Sequence, residues 1–150
     1  MADIHRTRTI AAHVGDIWDV LADFGSISSW AGNVDHSCIL FSGPDGGVVG
    51  TARRVQVKRD ALVERITEFD PPRALAYDIE GLPSHLRRVT NRWTLESIGG
   101  ESAVVTVTST VEIGPHAMQK LAERAMCRVQ VRQSDVMLAG LANRVEKPRV

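Results

Sequence analysis

Apolar residues recur at helical spacing in one short stretch near the start of the chain, and this pattern stops abruptly. A strand is predicted before it, over residues 3–12, which are rich in Ile and Thr. The apolar positions of the helical stretch lie three and four residues apart: Ile17, Val20, Leu21 and Phe24. Asp16 or Gly15 can cap this helix. Because Gly25 and two serines interrupt the pattern, we expect two short helices that meet at a corner at Gly25.

From Val34 to Ile113 the pattern changes to strands separated by the turn signals SGPDGG, KRD, DPPR, GLPS and IGGE. It predicts six consecutive strands joined by short turns, and therefore an antiparallel meander. Gly114 and Pro115 suit the start of a helix, and from there to about Val145 no Gly or Pro occurs except Gly140. Its apolar stripe consists of Met118, Leu121, Ala122, Ala125, Val129, Val136, Met137 and Leu141. A helix of ~29 residues would be ~43 Å long.

A helix of that length can bury its apolar stripe only against the face of a broad, curved sheet. The predicted fold is therefore α+β, in the order strand, two short helices, six strands and long helix. We expect a seven-stranded curved antiparallel sheet wrapped around the C-terminal helix, as one domain over residues 1–150.

Strand alternation sorts the side chains of this sheet into an inner and an outer face. The positions predicted to face the helix are Leu75, Tyr77, Ile79, Val89, Asn91, Trp93, Leu95, Val105, Val107, Ser109, Val111 and Ile113. The strand LVERITEF allows two phases, and we prefer the one that turns Glu64 inward, with Leu62 and Ile66, because the other buries Arg65. The inner face is then mostly apolar with a few polar groups, among them Glu64 and His36, which is the usual lining of a small-molecule pocket. Because many of its side chains are small, an internal cavity is expected.

Composition narrows the classes of function. Lys and Arg number 18 and so do Asp and Glu, so the net charge is zero and no general attraction to nucleic acid is expected. The charge-rich TARRVQVKRD is predicted to be a solvated strand face. Cys38 and Cys127 lack the spacing of a zinc site and are predicted to be buried thiols in a reducing compartment. With no apolar run long enough to cross a membrane and a polar N-terminus, we expect a cytoplasmic protein without membrane insertion.

The order of elements, together with IWDVLADFGSISSWAGNV, VERITEFDPPRALAYDIEG and GPHAMQKLAE, resembles the START-like superfamily, also called SRPBCC. The resemblance covers about residues 3–145. Within the superfamily the chain is similar to the polyketide cyclase/dehydrase and lipid-transport group, which shares the helix-grip fold of the birch pollen allergen. The resemblance implies that fold and says little about activity, because the superfamily contains binding proteins, carriers and enzymes.

VERITEFD and the Ser-Cys pair of DHSCIL are similar to the plant abscisic-acid receptors, in which a lysine before the Ser-Cys pair and the glutamate of the Glu-Arg pair face the pocket. The resemblance implies that the matching positions here are His36 and Glu64, and that His85 lies where the latch loop of the receptors would be. A histidine replaces the lysine and the gate sequence differs, so a plant-hormone role is not implied.

These patterns predict a protein that binds a small hydrophobic molecule, such as a lipid, an isoprenoid or a polyketide-like compound, as a monomer or homodimer. The predicted ligand-binding residues are His36, Glu64, Ile66, Tyr77, Ile79, His85, Val89, Asn91, Trp93, Val107, Ser109, Ala125 and Val129. Two alternatives stay open. One is a polyketide cyclase/dehydratase-type enzyme in which Glu64 and His36 act as an acid–base pair, and the other is a module that binds a protein partner. No motif for a metal or another cofactor is found.

Overall fold

Seven strands in the described part of the chain form one curved antiparallel sheet, and a long C-terminal helix packs against it. The computed structural model describes residues 2–81, 86–113 and 119–146. The strands are β1 (Ala2–Ile10), β2 (His36–Phe41), β3 (Ala52–Val57), β4 (Asp60–Asp70), β5 (Ala74–Glu80), β6 (Leu86–Ser97) and β7 (Ala103–Ile113). The helices are α1 (Val14–Ala22), a 3₁₀ helix (Phe24–Ser29) and α2 (Gln119–Val145). Across the sheet the order is β1-β7-β6-β5-β4-β3-β2, which confirms the predicted α+β fold.

The two short helices differ in detail from the prediction. Gly15 and Asp16, the predicted caps, lie inside the first turn of α1. The corner between the helices is at Asp23, whereas Gly25 lies within the 3₁₀ helix. A Cβ atom on Gly25 would lie 2.7 Å from Cγ1 of Ile39 on β2. Glycine at this position therefore allows β2 to approach the 3₁₀ helix and does not make the turn.

The inner face of the sheet carries most of the predicted side chains, and the side chain of Ile113 lies outside the described residues. Buried as expected are Leu75, Tyr77, Val89, Asn91, Trp93, Leu95, Val105, Val107, Ser109 and Val111. The preferred phase of β4 is confirmed, because Glu64 and Ile66 are buried, whereas Arg65 forms an ion pair with Glu80 on the outer face. Trp30 packs edge-to-face against Trp93 in the core, with ring centroids 5.9 Å apart.

The apolar stripe predicted for α2 is wrong over part of its length. Met137 and Leu141 are buried as predicted. Exposed against the prediction are Ala125, Val129 and Val136. Gln130 and Ser134 are buried instead, and they continue the buried stripe toward the N-terminus at spacings of three and four residues. Because polar residues occupy part of the sheet side of α2, the apolar positions alone did not identify its buried face. None of the helices described is long and apolar enough to span a membrane.

The C-terminal half of α2 is held closely against the rest of the chain. Both oxygens of Asp135 accept hydrogen bonds from the guanidinium of Arg6 on β1, at 2.8 and 2.9 Å. A turn later the helix approaches the backbone of Trp30, where a Cβ atom on Gly140 would lie 2.0 Å from the carbonyl oxygen. Because glycine has no side chain, Gly140 allows α2 to pack this closely against the backbone of Trp30.

Both cysteines are free, and the expectation of two buried thiols is wrong for Cys38. Cys38 is exposed on β2, which is an edge strand, whereas Cys127 on α2 is half-buried.

Candidate functional site

A cavity of about 470 Å³ lies between the inner face of the sheet and α2. Its apolar wall includes Ile27, Val34, Val55, Leu62, Ile79 and Met137. Its polar groups in the described part of the chain are Asn33, Asp60, Glu64, Asn91, Gln130 and Gln133. Small-molecule sites have volumes of about 300–1,000 Å³ and apolar walls with a few polar groups, so both the size and the lining suit a small ligand.

The cavity has a deep end and an open end. Val55, Glu64 and Asn91 are buried and form the deep end. Asp60 and Val129 also line the cavity but are exposed. The mouth therefore lies between the start of β4 and α2.

A buried ion pair closes the deep end. Arg53 and Glu64 lie directly opposite each other on β3 and β4, and their side chains are 3% and 8% exposed. Nε of Arg53 donates a hydrogen bond of 2.8 Å to Oε1 of Glu64. Nη2 lies 2.6 Å from the same oxygen, without hydrogen-bond alignment, so that second contact is ionic. Glu64 lines the cavity, and Arg53 lies behind it.

Arg53 is held on its other sides by the 3₁₀ helix and β5. Its Nη1 donates a hydrogen bond of 2.8 Å to the carbonyl oxygen of Phe24. Its Cζ lies 3.7 Å from the ring centroid of Phe24 and 4.7 Å from that of Tyr77, which are cation–π distances. The positive charge is thus directed toward Glu64, the backbone and two aromatic rings.

Two predictions are corrected at this end of the cavity. Arg53 belongs to the segment predicted to be a solvated strand face, yet it is 2% exposed because its partner Glu64 faces inward. The prediction that His36 faces the pocket is wrong, and so is the alternative in which it pairs with Glu64, because His36 is exposed on β2. The next residue, Ser37, faces the 3₁₀ helix and donates a hydrogen bond to the carbonyl oxygen of Gly25. Since side chains alternate along a strand, His36 lies on the opposite face.

A chain of hydrogen bonds lies beneath the cavity. Oγ of Ser109 donates to Oδ1 of Asn91 at 2.6 Å, and Nδ2 of Asn91 donates to the hydroxyl oxygen of Tyr77 at 3.3 Å. Nε1 of Trp93 donates to the same hydroxyl at 3.3 Å. Burial, and next the negative charge of Glu64, raise the pKa of Tyr77 above its ordinary value. The hydroxyl therefore keeps its proton to a higher pH in the folded protein than in the unfolded chain.

This raised pKa gives a testable pH dependence. Because the folded protein holds the Tyr77 proton more tightly than the unfolded chain, its stabilising contribution is complete below about pH 10 and is lost as the pH rises further. Tyr77 is the one tyrosine of the sequence, so near-ultraviolet phenolate absorbance reports it alone. We expect a higher titration midpoint in the native protein than in denaturant. Equal midpoints would contradict the burial of this hydroxyl.

Two side-chain oxygens at the cavity have no hydrogen-bond partner in the described part of the chain. Oδ1 of Asn33 and Oε1 of Gln133 are buried, and neither accepts a hydrogen bond from the residues that the structure describes. Both residues line the cavity. A buried acceptor left unpaired costs about 1–3 kcal/mol, so a molecule that donates to either oxygen would remove a penalty.

The sequence and the fold of the chain both match known proteins. A sequence model of the family described as "Polyketide cyclase / dehydrase and lipid transport" matches residues 1–146. The chain belongs to this family. No curated protein is significantly similar to it in sequence.

Solved structures show the same fold for this polyketide cyclase/dehydrase and lipid-transport family member. The Zhui aromatase/cyclase from Streptomyces sp. R1128 is similar with a TM-score of 0.80 and 19% identity, over 97% of this chain and 93% of that protein. A START superfamily protein from Mycobacterium smegmatis has a TM-score of 0.76 and 17% identity, over 96% and 97%. A protein from Thermobifida fusca has a TM-score of 0.78 and 22% identity, over 97% and 93%.

In this family member only some of the predicted site residues line the cavity. Four predicted residues line it: Glu64, Ile79, Asn91 and Val129. Six others are buried in the sheet but are not part of the cavity lining: Ile66, Tyr77, Val89, Trp93, Val107 and Ser109. Ala125 is exposed on α2 and is not among the lining residues, and His85 lies outside the described residues.

Sequence reasoning missed several polar lining residues. Gln130 and Gln133 lie on α2, where the prediction considered only apolar positions. Asn33 lies before β2, where alternation gives no guide, whereas Asp60 is the first residue of β4 and shares the inward phase of Leu62 and Glu64, so alternation could have found it. A search for polar residues at helical spacing beside Met137 would have found the two glutamines.

Proposed function

We propose that this chain binds one small, mostly apolar molecule in the cavity between the sheet and α2. The observation that carries the proposal is the combination of a volume of about 470 Å³ with two buried oxygens, on Asn33 and Gln133, that lack partners among the described residues. A ligand with an apolar body would cover the wall, and its polar end would satisfy these oxygens. The family description, which includes lipid transport and polyketide cyclases, supports a lipid, an isoprenoid or a polyketide-like molecule.

The geometry favours binding over the alternative of an acid–base enzyme. Such an enzyme needs a proton-transfer group within hydrogen-bond reach of the substrate and free to react. Oε1 of Glu64 already contacts two nitrogens of Arg53, and His36, its expected partner, is exposed. The pair on which the enzymatic hypothesis rested is therefore not assembled.

Blocking the mouth of the cavity tests the proposal. Val129 is 50% exposed on α2 and lines the cavity, so Val129→Trp is expected to cover the mouth without disturbing the core. With naphthol as the probe, isothermal titration calorimetry should show one site per chain in the original protein and a Kd raised about tenfold or more in Val129→Trp.

Val136→Trp is the matched control. Val136 lies two turns further along α2, is 37% exposed and does not line the cavity, so its replacement should leave the Kd for naphthol unchanged. Equal effects of the two tryptophans, or no effect of Val129→Trp, would refute binding in this cavity.

A further inference from the structure

The ionisable side chains of the described lining carry one sign of charge. Glu64 lies at the deep end and Asp60 at the mouth, so a ligand would have a carboxylate at either end of its path. The nearest cation at the deep end is Arg53, and its charge is already shared by Glu64, the carbonyl of Phe24 and two aromatic rings. The described lining therefore presents two carboxylates and no cation to the occupant.

The neutral polar groups of the lining also favour a ligand that donates hydrogen bonds. The two atoms at the cavity that lack a partner among the described residues, on Asn33 and Gln133, are both acceptors in the structure. Asn91 uses its Oδ1 to accept from Ser109 and its Nδ2 to donate to Tyr77. Side-chain amides can rotate to present either end, but an ionised carboxylate can only accept. Glu64 and Asp60 therefore make the cavity favour hydrogen-bond donors on the ligand. The side-chain amides can rotate to present their oxygens to the same donors.

We propose that the cavity selects molecules whose polar end is a hydrogen-bond donor without negative charge, an alcohol, a phenol or an amine, and rejects carboxylates such as fatty acids. This selectivity rests on the proposed function. A hydroxyl or ammonium group that donates to Glu64 makes a charge-assisted hydrogen bond, which is stronger than a neutral one. A carboxylate in the same place would meet a like charge in surroundings of low polarity, where repulsion is poorly screened.

Four probes with one ring system test this selectivity: unsubstituted naphthalene and, each substituted at the same carbon, naphthol, naphthylmethylamine and naphthoic acid. Calorimetry at neutral pH should give Kd values for naphthol or the amine about tenfold or more below that for naphthoate. Whichever of naphthol and naphthylmethylamine binds more tightly shows whether the cavity prefers a hydroxyl or an amine as the donor. Naphthoate binding as tightly as both would overturn the inference while leaving the proposed function intact. If no probe binds, naphthalene included, the proposed function itself fails.

Removing each carboxylate charge separately tests whether these charges cause the selectivity. Asp60→Asn keeps the shape of an exposed side chain and removes one charge, so the ratio of the naphthoate Kd to the naphthol Kd should fall about threefold. Asp45→Asn is the control, because Asp45 is exposed outside the lining and asparagine tolerates its positive φ of 58°. The ratio should not change in this control, and an equal fall in both variants would overturn the inference.

Glu64→Gln should invert the order of the probes. It leaves the buried Arg53 without its anionic partner, so naphthoate should then bind more tightly than naphthol. Circular dichroism shows whether this variant folds, and the Asp60→Asn comparison decides the question if it does not. A folded Glu64→Gln protein that still prefers naphthol to naphthoate would contradict the role given to Glu64.

Discussion

Replacing Arg53 with methionine should lower the free energy of unfolding by about 3–5 kcal/mol, because it leaves a buried charge on Glu64 without compensation. Glu64 is buried, and its Oε1 contacts both Nε and Nη2 of Arg53. The substitution also removes the hydrogen bond to the carbonyl oxygen of Phe24 and the contact with its ring. Urea unfolding followed by tryptophan fluorescence measures the loss.

Two further variants show whether the pair itself causes this loss. Arg54→Met alters the neighbouring, exposed arginine and should change the stability by no more than about 0.5 kcal/mol. The double variant Arg53→Met/Glu64→Leu removes both charges and should regain most of the stability, since apolar replacements of a buried ion pair are often neutral or stabilising. If Arg53→Met and Arg54→Met have the same effect, the buried pair does not have the importance given to it here.

The second large effect is expected at Gly140 in α2. An alanine in a helix normally stabilises by about 0.5–1 kcal/mol relative to glycine. At Gly140, however, the added Cβ would lie 2.0 Å from the carbonyl oxygen of Trp30, so the helix must move away from the backbone beside it. We expect Gly140→Ala to lower the free energy of unfolding by about 1–3 kcal/mol, the usual cost of overpacking.

Gly15→Ala in α1 is the matched control for this substitution. No heavy atom of the described residues, outside its own helix turn, lies within 4 Å of a Cβ built on Gly15. Its replacement should therefore be neutral or stabilise by up to about 1 kcal/mol. If urea unfolding shows Gly140→Ala to be as stable as Gly15→Ala, the close packing of α2 on Trp30 is refuted.

The fold and the inner face of the sheet could be predicted because one face of every strand must meet the core. A one-residue error in phase moves all inward side chains of a strand outward, so the apolar alternation determines the phase wherever it is clear. In β4 this argument correctly placed Glu64 inward despite its charge. The order of elements then left few ways to cover the long helix.

Arg53 could in principle have been found by counting residues across the turn. Val57 pairs with Asp60 around a two-residue turn, and the same register places Arg53 opposite Glu64. The turn itself was predicted from KRD, but its length of two residues was not, because Lys58, which has a positive φ of 54°, is not a usual residue for such a turn. Directly opposite residues share a face, so an inward Glu64 requires an inward Arg53.

Two other errors have different physical causes. The side chains of β2 could not be phased from apolar alternation because Ile39, Leu40 and Phe41 are successive, exposed apolar residues on an edge strand with an irregular register. The placement of His36 in the pocket therefore rested on the resemblance to the abscisic-acid receptors, and the strand pattern could not correct it. On α2, Gln130 faces a cavity, and a method that looks for apolar residues passes over a polar cavity wall.

Binding in the cavity can be tested most directly at the methyl group of Met137. Met137 is 4% exposed and lines the cavity, so a bound aromatic ring must lie close to it. In a protein with isotope-labelled methionine methyl groups, the Met137 resonance is the one that disappears in Met137→Leu. Titration with naphthol should shift this resonance by ring currents, with the Kd found by calorimetry. If it stays unmoved while naphthol saturates the protein, the ligand binds elsewhere and the proposed function is wrong.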